Sequence, residues 1–545
     1  MKDISQRFFF AAFVIFLFLH LFLLYTQRLY PFIDLPYHLA IATVIKFYGA
    51  ASNSFSEYFT ISETFLRPHA LHSLFCGLDI FPSVEFGNKI FFCLYTLLFP
   101  LSVLLLIFKF KGNLWFSLLS FLFLYNFNVC WGFTEYTLSI PVFLFFFYVF
   151  TCYLDEASFF NSLFLTVLFL ILYFAHSLST LFALMVFTVC LGVKYRGTWG
   201  TGIKKSVVAL PVLMLILFSK GSVTGQGFII TLKRLGYYYI KEYFKGLPDR
   251  ASHLLFADNS FLFPGSTGKL WSLLFSSAVL LPFIYILVVK RRHLWTVLKD
   301  PARQPLGLLL CCVLLCFSFL PYGVLNAWAI YQRFSVFLFV TLIIINSVLY
   351  TRKTGTFLLF YVVVLCALHY GFWSNYYTEF SEENRTFTPA FLPTSEKGVT
   401  LGAQIFKHDY RGQPVYVHFP DYYITWKQGV AASSIINFGQ TGVKRKVIEE
   451  SLPAYFEWKE KMWKQHGDRY YKYSGIREAV SPDLLPVYNA WIGSKFKQYD
   501  SRYKDKTYIL TRGNPPEAAS HYFENFERIR FTDEWYLYQS RKHRD

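Results

Sequence analysis

Charge is what this chain has least of. Only 16% of its 545 residues are Asp, Glu, Lys or Arg, where a soluble protein of this length carries nearer a quarter. Hydrophobic residues make up 54% and aromatics 21%, with Phe alone present 64 times. A soluble globular fold is excluded, and the composition describes a polytopic membrane protein. Cysteine offers no framework either. All nine cysteines precede residue 374, mostly inside apolar runs, and no pair has CxxC spacing. They read as small buried hydrophobes, which excludes a disulfide scaffold and a zinc ribbon. There is no GxxxxGK[ST] loop to cradle ATP, no GxSxG nucleophile elbow and no HExxH zinc-protease helix. Energy for any reaction must therefore come from an activated substrate or a gradient. No internal repeat is visible. The net charge of +18 requires no nucleic-acid partner, because cytoplasmic loops of membrane proteins accumulate Lys and Arg.

Apolar runs near the bilayer-spanning length fall at 8–25, 89–108, 114–128, 137–154, 159–175, 178–193, 206–219, 269–289, 306–320, 334–350 and 355–373, about eleven spans. Lys2 and Arg7 precede the first run, and no small-residue cleavage site follows it, so it reads as a retained span. One set of loops carries Lys109 and Lys111, Lys194, Arg196, Lys204 and Lys205, then Lys290 to Arg303, and Arg352 with Lys353. The positive-inside rule assigns these loops and the N-terminus to the cytoplasm. An odd number of spans puts everything after Trp373 outside. The expected architecture is a membrane domain over 1–373 and an extracytoplasmic mixed α/β domain over 374–545, periplasmic or lumenal according to the membrane. In that second region Pro414–Phe419 and Thr507–Leu510 read as strands, 526–539 as a hairpin around Asp533 and Glu534, and Val447–His466 as helical.

Polar residues that do not serve as topology signals gather on the outer face: Asp34 and His38, the 63–79 stretch, Glu135, His176, the 220–268 loop, and Asn326 to Arg333. Unconstrained polar residues would scatter over both faces, so this one is the candidate active or binding surface. Asp34 lies in Tyr30-Pro-Phe-Ile-Asp-Leu-Pro-Tyr-His38, just past the first span. If a helix begins at Leu35, Asp34 and His38 share a face. Asp34 suits a general base toward an acceptor hydroxyl, or an N-cap of that helix. His38 suits a phosphate or sugar hydroxyl, or a backbone carbonyl. Glu63, Arg67, His69, His72 and Asp79 suit a site lining or a metal bound through carboxylate and imidazole, but their spacing fits no specific metal motif, which favours solvated loop residues. Phe47, Tyr48, Phe55, Tyr58 and Phe59 suit helices lying in the membrane interface, and Tyr237, Tyr238, Tyr239, Lys241, Tyr243 and Lys245 suit lipid head groups. Glu135, in the short turn 131–136, pairs with a basic group of the site, binds acceptor, or sits exposed. His176, at another tight turn, suits a donor phosphate, or is a polar turn residue. Arg333 opens a span and suits a lipid phosphate, or snorkels to the interface; Lys220, Lys241 and Lys245 are weaker candidates for the same role.

An apolar first span followed at once by an outer-loop aspartate resembles the GT-C superfamily of membrane glycosyltransferases, the group of the protein O-mannosyltransferases and the lipid A aminoarabinose transferases. The resemblance rests on Asp34-Leu35-Pro36-Tyr37-His38 and on the topology of 1–373. It implies that Asp34 is the catalytic residue, that the donor is a polyprenyl-phosphate-linked sugar, that transfer inverts the anomeric centre, and that a late basic residue, here Arg333, serves the lipid phosphate. The acceptor is a glycan, a lipid or a protein. Many relatives carry a second acidic residue beside the first. Leu35 stands there in this chain, so no cofactor is fixed and a divalent metal stays open. The alternative expectation is a transporter or flippase of a lipid-linked or amphipathic substrate. That would call for ionisable residues within the spans, and few are visible.

Overall fold

A computed structural model describes residues 2–61, 67–218, 266–324, 327–350, 355–395, 399–434 except 412, 442–446 and 507–541 except 516 and 533, with a few single residues between. Glu63, Lys220, Lys241, Lys245, Asn326, Asp533, the Tyr237–Tyr239 cluster and the Val447–His466 helix lie outside the described residues. The chain divides into two compact units. One comprises Met1–Thr26, Leu66–Leu71 and Ile90–Asn375; the other comprises Gln27–Phe65, His72–Lys89 and Tyr376–Asp545.

The first unit is helical. Among the described residues eight helices are long and apolar enough to cross a bilayer, or nine if a pair bent by 110°, Arg291–Lys299 with Gln304–Phe319, is one span. Among the described residues the eleven apolar runs are mostly helical, the run 114–128 being divided between the 3-10 helix Leu114–Phe123 and the short helix Phe127–Trp131. Phe159–Ala175 is a shorter apolar helix, and the last run lies in the 29-residue helix Gly355–Glu383. The helices sort by burial. Leu114–Trp131 and Tyr331–Leu349 are 94% buried, whereas Trp199–Phe218 is 11% buried. Phe146, Phe150, Phe169 and Phe187 interlock at the centre, while Phe8, Phe18, Phe22, Phe159, Phe164 and Leu217 face outward. Outward aromatic and aliphatic surface on this scale belongs against lipid, not water. The protein is a polytopic membrane protein.

The second unit joins the first long loop to the C-terminal region. A five-stranded sheet runs in the order Val430–Ala431, Thr400–Ile405, Tyr508–Arg512, Trp535–Ser540, Phe526–Phe531. Its first two pairings are parallel and its last two antiparallel, and the expected strand at 507–510 and the terminal hairpin are present. Pro414–Phe419 is not a strand. Val415–Asp421 coils as a 3-10 helix, with Pro414 and Pro420 unable to donate to a ladder. The helix Leu35–Phe47 buries Tyr37, Ala40, Ile41 and Val44 against Ile424, Val430, Ala431, Ile436 and Val443. Phe59–Ile61 pairs antiparallel with Val443–Arg445. Phe55 and Phe59 are fully buried in that core, contrary to the expectation of an interfacial aromatic group. Each contributes about 2–3 kcal/mol of burial there, which outweighs the weaker gain of a half-wet interface.

Candidate functional site

The sequence candidates fall into two groups, one in each unit. In the first unit, Gly132 ends the short helix Phe127–Trp131 in the left-handed conformation (φ 82°) and reverses the chain. Phe133 and the start of the helix Thr134–Asp155 follow. The Arg333 guanidinium carbon lies 4.0 Å from the Phe133 ring centre and 5.5 Å from that of Tyr136. The Tyr136 hydroxyl donates to the Arg333 carbonyl at 3.0 Å, which locks the 3-10 turn Tyr331–Phe334 in place. Arg333 is buried, not snorkelling. Glu135 is also buried, not exposed at its turn, and accepts from the Thr134 hydroxyl at 2.9 Å.

His176 caps the helix Ser177–Lys194: its Nδ1 accepts from the Leu178 N–H at 3.1 Å. Its Nε2 lies 3.1 Å from Arg333 Nη1. The His69 ring stands edge-on to it with centroids 4.2 Å apart. His69 is held in the left-handed region (φ 62°) by the Ala70 N–H bonding to the Phe174 carbonyl, and its Nε2 meets the Ser177 hydroxyl at 3.3 Å. Burial, then His69 and Arg333, hold the His176 pKa well below the ordinary imidazole range, so the ring is neutral at physiological pH. A neutral imidazole has one accepting nitrogen. Here both nitrogens face obligate donors, a backbone N–H and a guanidinium. Either tautomer leaves one donor pointing at another.

In the second unit, Asp34 occupies the N-cap position of Leu35–Phe47, yet its side chain makes no capping bond. The capping alternative is overturned: Asp34 has αR backbone angles (φ −88°, ψ −3°), not the extended ones of a working N-cap. His38 follows one turn later, its N–H on the Asp34 carbonyl at 3.2 Å. His418 Nε2 lies 3.6 Å from Asp34 Oδ1, too far for a hydrogen bond. Burial, then His38, push the His418 pKa down to about 4, so at neutral pH the contact is not an ion pair. His72 is fully buried rather than solvated, with its Nε2 on Asn88 Oδ1 at 2.9 Å and its ring 5.9 Å from that of His38. One turn after His418, Asp421 is buried at 1% exposure. Burial raises its pKa to about 7, while Ser434 and Arg445 act the other way.

Sequence reasoning missed His418, Asp421 and the burial of His72. No local signal marks them, since they stand among many polar residues and only the packing of Leu35–Phe47 selects them. Compared with family models and with curated proteins, the chain matches none of either.

Proposed function

We propose that the chain is a membrane glycosyltransferase of GT-C type that moves a sugar from a polyprenyl-phosphate donor to an acceptor hydroxyl on the non-cytoplasmic face. The N-terminus is cytoplasmic, about eleven helices span the bilayer, and the region after residue 373 is extracytoplasmic. Asp34 takes the acceptor proton as the acceptor oxygen bonds to the anomeric carbon. The bond from that carbon to the phosphate oxygen breaks, and its electron pair leaves with the lipid phosphate. Arg333 and the Nε2–H of His176 hold that phosphate, with Arg333 buried so that its charge acts at low dielectric.

The observation that carries this reading is the buried Arg333–His176 contact at 3.1 Å, a guanidinium and an imidazole brought together, which suits a phosphate. The Asp34 side chain supports it, since it makes no helix-capping bond that would hold it to the backbone N–H groups. Binding of a fluorescent polyprenyl phosphate to purified protein tests the reading. Arg333→Met and His176→Phe should each weaken it by on the order of 10-fold or more; affinity unchanged in both would contradict the phosphate site.

A second reading, a transporter of a lipid-linked substrate, is favoured by one observation. His20 and His369 lie buried inside two apolar helices with ring centres 6.0 Å apart. His20 Nδ1 meets the Tyr125 hydroxyl at 3.0 Å, and His369 Nε2 accepts from Trp373 Nε1–H at 3.0 Å. Their other nitrogens, His20 Nε2 and His369 Nδ1, are buried without a hydrogen bond among the described residues. Ionisable groups at such depth mark proton or substrate paths in transporters. Substrate movement abolished in His369→Phe, with sugar transfer absent in wild type, would decide for it.

A further inference from the structure

We infer that one end of the membrane unit binds the headgroups of anionic phospholipids, through the helix Arg291–Lys299, Lys194 and the first turns of Trp199–Phe218. These elements converge on one cleft. Lys109 ends one helix, Asp155 a second and Lys194 a third, and Gln304 begins a fourth; all four residues line the cleft. Lys109 Nζ pairs with Asp155 Oδ2 at 2.9 Å, which cancels that charge. Lys194 Nζ donates to the Leu154 carbonyl. An ammonium has three donors, and a neutral carbonyl does not cancel its charge. Lys194 is also exposed. The chain leaves the cleft on both sides in basic segments. Residues 194–206 carry Lys194, Arg196, Lys204 and Lys205, and residues 290–299 carry Lys290, Arg291, Arg292 and Lys299, with no Asp or Glu in either.

A topology signal asks only for charge in such loops. Two further features point to lipid. Arg291–Lys299 turns 110° from Gln304–Phe319, so where the latter crosses a bilayer the former lies nearly along its surface. It buries Leu294 and Val297, three residues apart on one face, and exposes Arg291, Arg292, Trp295 and Lys299. Trp295 stands 59% exposed among those cations, and Trp199 and Ile203 are 61% and 68% exposed on the turns that carry Lys204. The Tyr153 hydroxyl donates to the Lys205 carbonyl at 3.0 Å, and Lys205 Nζ sits 5.2 Å from the Tyr153 ring centre. Both contacts pin those turns beside Leu154 and Asp155 of the cleft. Indole with ammonium or guanidinium suits the headgroup layer, the ring among the upper acyl carbons and the cation on phosphate. A soluble anion would match the charge but leave both tryptophans in water. The inference holds whether or not the chain transfers sugar, and whichever way it faces.

The test is native mass spectrometry of the full chain in detergent, titrated with an equimolar mixture of phosphatidylglycerol and phosphatidylcholine of matched acyl chains. Wild type should prefer phosphatidylglycerol by on the order of 10-fold or more. Arg291→Gln combined with Arg292→Gln removes two exposed cations and should cut that preference on the order of 10-fold; adding Lys194→Gln should lower it further. Lys444→Gln with Arg528→Gln, two exposed cations of the other unit, should leave it unchanged, as should Arg333→Met. No preference in wild type, or an equal loss in the Lys444 and Arg528 variant, would overturn the inference. Loss confined to Arg333→Met would assign the anionic lipid to the proposed donor site instead. Displacement by inorganic phosphate, but not by chloride of equal ionic strength, would assign the face to a soluble anion. Either result overturns the inference. Phosphatidylglycerol carries no sugar to transfer, so a failure of the proposed function would leave a positive result standing.

Discussion

At His176 two hydrogen-bond donors face one imidazole, and the proposed phosphate role rests on that pairing. The Leu178 N–H is fixed by the helix it begins, and Arg333 is fixed by the Phe133 and Tyr136 rings and by the Tyr136 hydroxyl. Arg333→Lys keeps the charge but loses the planar fork that reaches His176. Its sugar-transfer rate should fall on the order of 100-fold, whereas a rate near wild type would show that charge alone suffices. A second residue-scale prediction concerns pH. Asp421, raised from 3.8 to about 7, stays protonated in the folded unit while the unfolded chain has lost its proton. Its contribution to stability therefore falls as pH rises from about 4 to about 7. His418, lowered from 6.5 to about 4, behaves oppositely: the unfolded chain gains a proton first, so stability falls as pH drops from 6.5 toward 4. The two slopes offset each other in wild type. Asp421→Asn removes one, and its Tm should drop steeply on acidification from pH 6.5 to 4.5 while the wild-type Tm changes less; parallel curves would contradict this. Asp34, His38, Glu135, His176 and Arg333 were legible because a polar side chain at the end of an apolar run stands out. His418 and Asp421 were not, because in a polar domain only tertiary burial separates them from their neighbours.

At the scale of elements, long apolar runs translate directly into helices, since a span must satisfy its own backbone in lipid. The short elements of the second unit do not. Val415, Val417 and Phe419 alternate as in a strand, yet two prolines deny that stretch its ladder, and a 3-10 helix forms instead. Nothing local in 55–61 reveals that its strand partner lies nearly four hundred residues downstream. The pairing Phe59↔Arg445, Thr60↔Lys444, Ile61↔Val443 is reinforced by the Lys446 N–H on the Tyr58 carbonyl. Phe59→Ala leaves a cavity in this core and should destabilise the second unit by about 3–5 kcal/mol. That appears as a lower Tm and earlier proteolysis of the C-terminal region. An unchanged Tm would mean the strand pair does not hold the loop.

For the whole molecule, the exposed phenylalanines of Lys2–Thr26 and Phe159–Ala175 call for a bilayer, and the proposed orientation in it rests on the loop charges. The orientation is tested by single cysteines placed at Lys204 and Glu524, both exposed, in a Cys311→Ser background that removes an exposed native thiol. In intact cells or sealed vesicles of known orientation, a membrane-impermeant maleimide should label the residue-524 thiol from the non-cytoplasmic side and leave the residue-204 thiol unlabelled. The reverse pattern would place Asp34 and Arg333 on the cytoplasmic face and remove the reason for a lipid-linked donor. The decisive measurement is turnover of a panel of polyprenyl-phosphate sugars by purified protein in lipid vesicles, with membrane extract as acceptor and Asp34→Asn beside wild type. Transfer by wild type that falls by orders of magnitude in folded Asp34→Asn is the predicted result. Equal transfer by both proteins, or lipid-sugar translocation with no transfer from any donor, would contradict it.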